Sequence, residues 1–245
     1  MSSDAVTSEV GGVAQQPRTV RVYVWDLVVR STHWLIALSL IVLSVTGIYI
    51  GNPSLIAPGP ATDHFIMGTM KAVHFYGAIV FTLSVLARIV WAFSRSGDAN
   101  WRSFIPVAKS RRDKLIGTFL FYIFVRDRPP AVRGHNPLAG LTYTAVFGLY
   151  LVMILTGLGL YAVGADSVMH QFDALLPLLG GAQGARWIHH VVMWLLLGFF
   201  VHHLFSALLV SVAEKNGTID SIFSGYKWVE PEELDPEERP TEEEG

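Results

Sequence analysis

No cysteine occurs among the 245 residues. Disulfides are therefore excluded, and with them thiolate zinc sites and iron–sulfur clusters held by the chain itself. The C-x-x-C-H attachment of a c-type haem is excluded too, so any haem must be held without a covalent bond. Charge is the second shortage. Asp, Glu, Lys and Arg make up 16% of the chain, against about 25% in a soluble domain. Nine of the twenty acidic residues are gathered in Val229–Gly245, a stretch too polar to bury anything, which is expected to be a disordered tail over 229–245. Residues 1–17 are also polar and read as a second disordered tail. They lack the basic-then-apolar layout of a cleavable signal peptide. A net charge of −2 offers nucleic acid nothing to bind.

What is abundant is apolar: 51% of residues are hydrophobic and the mean hydropathy is +0.42. Four runs approach or exceed the ~20 helical residues a bilayer requires: about 33–50, 71–93, 141–163 and 189–212. None of them contains Asp or Glu. Lys and Arg set the direction. The N-terminal flank has Arg18, Arg21 and Arg30, and the segment between the second and third runs has nine basic residues from Arg95 to Arg133. The two opposite loops have only Lys71 and Arg186, each at a helix mouth. Both termini are therefore expected in the cytoplasm. Within the basic segment, Lys114–Phe124 is apolar but short; a surface-lying helix and a re-entrant or merely buried segment both fit it.

Six of the nine histidines fall in the spans: His33, His74, His189, His190, His202 and His203. A histidine in hydrocarbon is costly unless it meets a cavity, a partner or a metal. Helical geometry sorts the last four. His189 and His203 are fourteen residues apart, so they lie within about 40° of one face and about 21 Å apart along the axis. Every other pairing between the two doublets misses by more than about 100°, so His190 and His202 are expected to pack or hydrogen-bond.

The fourteen-residue interval recurs. It links His33 to Gly47, His74 to Arg88 and Tyr143 to Gly157, and the runs LSVTG (Leu43–Gly47) and MILTG (Met153–Gly157) look alike. Two layers result: His33, Arg88, Tyr143 and His203 toward the cytoplasm, and Gly47, His74, Gly157 and His189 toward the outside. The outer glycines would let a flat macrocycle approach the backbone. Arg30, Lys71 and Arg186 each precede a candidate ligand by three residues, on nearly the same face, where haem propionates at a membrane edge need cations. Arg88 is expected to be an intramembrane charge with no acidic partner, and a propionate would supply one. Two bis-histidine haems b account for this pattern; a zinc site would gather three or four ligands at one level with carboxylates behind them. The fold class is therefore an all-α membrane protein, a four-transmembrane-helix bundle over 18–228 binding two haems b, with N- and C-termini cytoplasmic.

The residues that carry a family resemblance are Arg30-Ser-Thr-His33-Trp34 running to Thr46-Gly47, Met67–Phe75 (MGTMKAVHF), Gly134–Gly140 (GHNPLAG), IHHVVMW to His203, and Ser224–Trp228 (SGYKW). Over about Val20 to Trp228 the chain resembles the b-type cytochrome subunit of membrane-bound [NiFe]-hydrogenases, within the cytochrome b561-like group. The resemblance implies a dihaem anchor in the cytoplasmic membrane of a bacterium, with the hydrogenase small and large subunits on its outer face. Electrons would pass from the small subunit through two haems b to quinone. The implied ligands are His33, His74, His189 and His203, the outer pair being His74/His189 and the inner His33/His203, while the doublets keep His190 and His202 open as alternatives.

With no cysteine to hold nickel or clusters, the chain is an electron-transfer subunit and not the hydrogen-activating one. Two other classes fit less of the pattern: the cytochrome of formate dehydrogenase or another periplasmic oxidoreductase, and a stand-alone b561-type redox enzyme. A metal or haem transporter would show intramembrane carboxylates. Quinone reduction needs protons and groups that donate hydrogen bonds. His135 and Asn136 precede Pro137, which suits a first helical turn; together with Tyr143 they are the candidate quinone residues.

Overall fold

A computed structural model of the chain describes residues 19–54, 59, 64–94, 109–127, 137–164, 168–215 and 217–229. Both expected tails lie outside the described residues, except for Val229, and so do His135, Asn136 and most of the basic segment. Val229 corrects the start of the acidic tail: it ends a β-strand and is only 2% exposed.

Six helices and two short strands are present among these residues. They are α1 (Leu27–Gly51), α2 (Ile66–Ser94), α3 (Lys109–Tyr122), α4 (Pro137–Ala162), α5 (Gly181–Glu214) and α6 (Thr218–Ser224), with β1 (Val20–Tyr23) and β2 (Tyr226–Val229). Two 3-10 turns, Val168–Leu175 and Pro177–Leu179, lead from α4 into α5. The helices α1, α2, α4 and α5 are long and apolar enough to cross a membrane. They overrun the apolar stretches of the sequence, most of all α5, whose 34 residues make a rod of about 51 Å against a hydrocarbon core of about 30 Å. Hydropathy falls off at Gln183, Arg186 and Trp187, but nothing there breaks the backbone ladder.

Local chemistry fixes the ends. Asp26 caps α1 by accepting from Val29 N at 2.9 Å, which satisfies one of the amides a helix start leaves open. Its other carboxylate oxygen accepts from Trp91 Nε1 at 2.7 Å, tying the start of α1 to the end of α2. Buried hydroxyls inside the helices reach carbonyls one turn back, as Thr32 does to Val28 O at 2.7 Å and Ser84 to Val80 O at 2.7 Å, which offsets the cost of burying them; Ser44 Oγ is buried without such a partner.

The bundle consists of two hairpins, α1–α2 and α4–α5. Ile36, Leu40, Phe81, Val85, Val146, Tyr150, Val192 and Leu196 form its core, two from each long helix. Leu38, Val45, Leu83, Trp194 and Val201 point outward and are exposed, as suits a surface facing lipid. α3 lies against α4 with Thr118 and Phe121 buried and Ile116 and Phe119 exposed.

The sequence did not foretell the small sheet. β1 pairs antiparallel with β2 in the register Val20↔Val229 to Tyr23↔Tyr226, so the segments adjoining the two tails meet at one end of the bundle. Trp25 Nε1 donates to Ser221 Oγ at 3.1 Å, and Val24 N and Trp25 N both donate to Gly225 O at 2.8 and 3.1 Å. The mostly buried Lys227–Glu214 pair, 3.1 Å apart, fastens β2 to the end of α5. The SGYKW stretch is thus half of a cap over this end.

Candidate functional site

At the capped end, α1 and α5 bring His33 and His203 face to face. Their ring centroids are 6.2 Å apart and the planes are inclined by 57°. A metal–imidazole bond of about 2.0–2.1 Å, with roughly 1.1 Å from ring centre to nitrogen, sets two axial imidazoles about 6.3 Å apart across one metal. The pair fits a bis-histidine site. His33 Nδ1 is buried without a hydrogen-bond partner, so that nitrogen is not engaged by the protein. The His203 ring stacks on Phe199 at 5.5 Å and meets the edge of Tyr143 at 5.9 Å. Trp34 stands edge-on to His33 at 5.2 Å and packs on Phe223 of the cap at 4.7 Å.

At the other end, His74 of α2 and His189 of α5 lie close enough for charge on one to act on the other. Each is held by a threonine of the neighbouring helix in its own hairpin. Thr46 Oγ1 is 2.8 Å from His74 Nδ1, and Thr156 Oγ1 is 2.8 Å from His189 Nδ1. The next residue in each case is the glycine singled out from the sequence. A Cβ on Gly47 would stand 3.3 Å from His74 Cε1, and one on Gly157 would stand 3.5 Å from His189 Cε1. What comes up to the backbone at both glycines is the Cε1 edge of an imidazole, more closely at Gly47 than at Gly157.

Among the described residues, no three of His, Asp and Glu gather as a metal ion would need. The histidines come as two pairs, His33 with His203 and His74 within electrostatic reach of His189, and not as a cage of three or four at one level.

The cations divide. Arg30 donates through Nη1 to the Phe223 carbonyl, while its Nε is buried and unpartnered. Arg186 is exposed and donates to Gln183 Oε1 at 2.6 Å; Lys71 is exposed at the mouth of α2. Arg88 is buried at 7% exposure, and here the expectation of a charge without an acid is corrected. Asp26 is near enough to act on it electrostatically. The sequence hid this because Asp26 lies outside the apolar run, at the cap of α1, and joins Arg88 only when α1 and α2 pair.

The doublets are sorted by exposure. His190 and His202 are exposed, whereas His33, His74, His189 and His203 are half-buried. His190 pairs through Nδ1 with the Arg186 carbonyl at 2.8 Å and lies against Gly51, while His202 faces Tyr122 at 6.3 Å between centroids. Of the three candidate quinone residues only Tyr143 is described, beside His203; His135 and Asn136 are not.

Comparison with known proteins adds an independent line. A family model described as prokaryotic cytochrome b561 matches residues 24–225. The probable Ni/Fe-hydrogenase B-type cytochrome subunit of Cupriavidus necator is 34% identical over 230 residues, which cover 92% of this chain and 94% of the relative. That of Azotobacter vinelandii is 34% identical over 211 residues, covering 84% and 88%. The probable Ni/Fe-hydrogenase 1 B-type cytochrome subunit of Escherichia coli strain K12 is 33% identical over 214 residues, covering 84% and 90%.

Proposed function

The chain belongs to the prokaryotic cytochrome b561 family, and from that premise we propose that it is a dihaem cytochrome b that anchors a [NiFe]-hydrogenase to the bacterial cytoplasmic membrane and transfers electrons from its small subunit to quinone. The observation that carries this is a histidine pair at each end of one apolar bundle, His33 with His203 and His74 within electrostatic reach of His189. The hydrogenase partner is supported by the names and near-full coverage of the relatives.

Haem bound at each pair supplies a one-electron couple; the chain's own residues do the rest. His33 and His203 hold the inner group, and His74 and His189 the outer. Arg30 and Arg88 at the inner end, and Lys71 and Arg186 at the outer, offer cations to propionates; buried charge of either sign needs such a partner. Ile36, Leu40, Val85 and Leu196 fill the level between the layers and keep water out of it. The loops 51–70 and 164–186, beside the outer pair, form the docking face for the small subunit. Tyr143, with His135 and Asn136, offers hydrogen bonds to quinone beside the inner pair, where protons come from the cytoplasm.

Gentle detergent purification of the chain from its membranes tests this. A nickel-containing two-subunit partner should be retained, and pyridine haemochrome analysis should give two b-type haems per chain. A molybdenum-containing partner would replace the hydrogenase assignment, and a c-type spectrum, or none, would refute the cytochrome reading.

A further inference from the structure

We propose that Thr46 and Thr156 are positioning residues that fix the tautomer of His74 and His189, and so hold the outer iron at a lower reduction potential than the inner. The inference rests on the dihaem reading above.

A threonine hydroxyl has one proton and two lone pairs. In both threonines the proton is committed. Thr46 Oγ1 donates to Val42 O at 2.8 Å, and Thr156 Oγ1 donates to Val152 O at 2.7 Å. Each hydroxyl can therefore only accept from the imidazole 2.8 Å away, so Nδ1 carries the hydrogen in both rings. The Leu43 carbonyl, which can only accept, lies close enough to His74 to favour a ring hydrogen on that side. With Nδ1 protonated, a neutral ring keeps its lone pair on Nε2, which is thereby left as the metal-binding atom.

The arrangement is built twice. Thr46 is 4% exposed and Thr156 is fully buried. Each sits near the far end of the first helix of a hairpin, and each reaches a histidine near the start of the second, 28 and 33 residues on. Each is followed by the glycine that admits the ring. A threonine serving only helix packing would not need to meet a histidine nitrogen in both hairpins.

An N–H bonded to a good acceptor makes the opposite nitrogen a stronger base, which favours the oxidised metal and lowers its potential. The inner pair lacks this support on at least one side, since His33 Nδ1 is buried without a partner. With haem held at both pairs, this difference would make one-electron transfer from the outer group to the inner downhill, one oxidised as the other is reduced.

The test is a spectroscopic redox titration of the full chain in its membranes, with the outer wave identified as the one lost in His189→Ala. Thr156→Val and the Thr46→Val/Thr156→Val double variant should move the outer wave upward toward the inner one, which stays in place, and should shift the low-spin signals of that haem in electron paramagnetic resonance. Thr46→Val alone should shift it less, because the Leu43 carbonyl remains. Thr→Ser at both positions should restore the wild-type values. Unmoved waves in the double Val variant, Ser variants that behave as Val, or equal loss of both haems would overturn the proposal. A wild-type chain without two b-type waves would instead refute the dihaem reading.

Discussion

Gly225→Ala should loosen the cap at the inner end without unfolding the bundle. Gly225 has φ +91°, and a Cβ there would stand 2.6 Å from Tyr23 Cε2 and 2.8 Å from the Trp25 carbonyl oxygen. The Tyr23 ring could swing away, but Trp25 O is backbone and is held where Trp25 N donates to Gly225 O. The left-handed conformation costs a residue with a Cβ about 1–2 kcal/mol, and the overpacking adds about 1–3 kcal/mol. The sum is about 2–5 kcal/mol, or roughly a 30- to 5,000-fold larger opening constant. Gly217 supplies the control. Its φ is +76°, but the nearest atom to its Cβ would be 3.7 Å away, so Gly217→Ala bears the conformational cost alone, roughly 5- to 30-fold. The readout is hydrogen exchange of the Val24 and Trp25 amides in detergent or nanodiscs, because both donate to Gly225 O and local opening exposes them first. Amides at the centre of α2, around Val85, should exchange as in wild type. Equal acceleration in the two variants, or acceleration spreading to Val85, would show that the cap is not the separate unit described.

The two histidine layers predict a pairing of phenotypes: His74→Ala and His189→Ala should remove one spectral component, and His33→Ala and His203→Ala the other, whereas a shared loss in His33→Ala and His74→Ala would dissolve the layers. Reporter fusions at Arg111 and after Gly245 should report the cytoplasm, and fusions at Pro58 and Gly181 the outside; any other pattern reverses the depths assigned to the haems. For the quinone site, Asn136→Ala and His135→Ala should leave both haems reducible by hydrogen while quinone reduction falls at least tenfold, and unchanged quinone reduction in both variants would discard that site.

The four long helices were legible because each apolar stretch is long and uninterrupted by acids, and hydropathy is blind only to their ends. That His189 and His203 share one face of α5 followed from their fourteen-residue interval, which nearly closes four turns. The meeting of His33 with His203 followed from the opposite directions of neighbouring helices, which put the two at matching depths. Asp26 was not legible as a partner for Arg88. It serves as the cap of α1, and its second role exists only between two helices. The cap was missed for a related reason: β1 and β2 are four residues each and stand some two hundred residues apart, so neither has a periodicity of its own to read. The repeated Thr-Gly pair is visible in the sequence, but nothing local distinguishes the role of its threonine. The hydroxyl beside each glycine carries the hydrogen bond, and a buried threonine looks like an ordinary helix residue until its neighbour across the hairpin is known.

The same repeat distinguishes two kinds of contact. Thr46 meets His74 within the α1–α2 hairpin, and Thr156 meets His189 within the α4–α5 hairpin. The histidine pairs do the opposite: His33 with His203, and His74 with His189, each join one hairpin to the other. Each hairpin can therefore orient its own outer imidazole, and close its own 28- or 33-residue contact, before the hairpins meet. Loop closure over these lengths costs about 2 kcal/mol more than over a single turn, and the threonine and glycine need no help from the other hairpin. What remains for association of the hairpins is to bring two already oriented rings into line, so less conformational freedom is lost in the step that also completes the site. Preorganisation of this kind strengthens binding by lowering what must still be ordered, and it places the burden of orienting His74 and His189 on two dipeptides, Thr46-Gly47 and Thr156-Gly157.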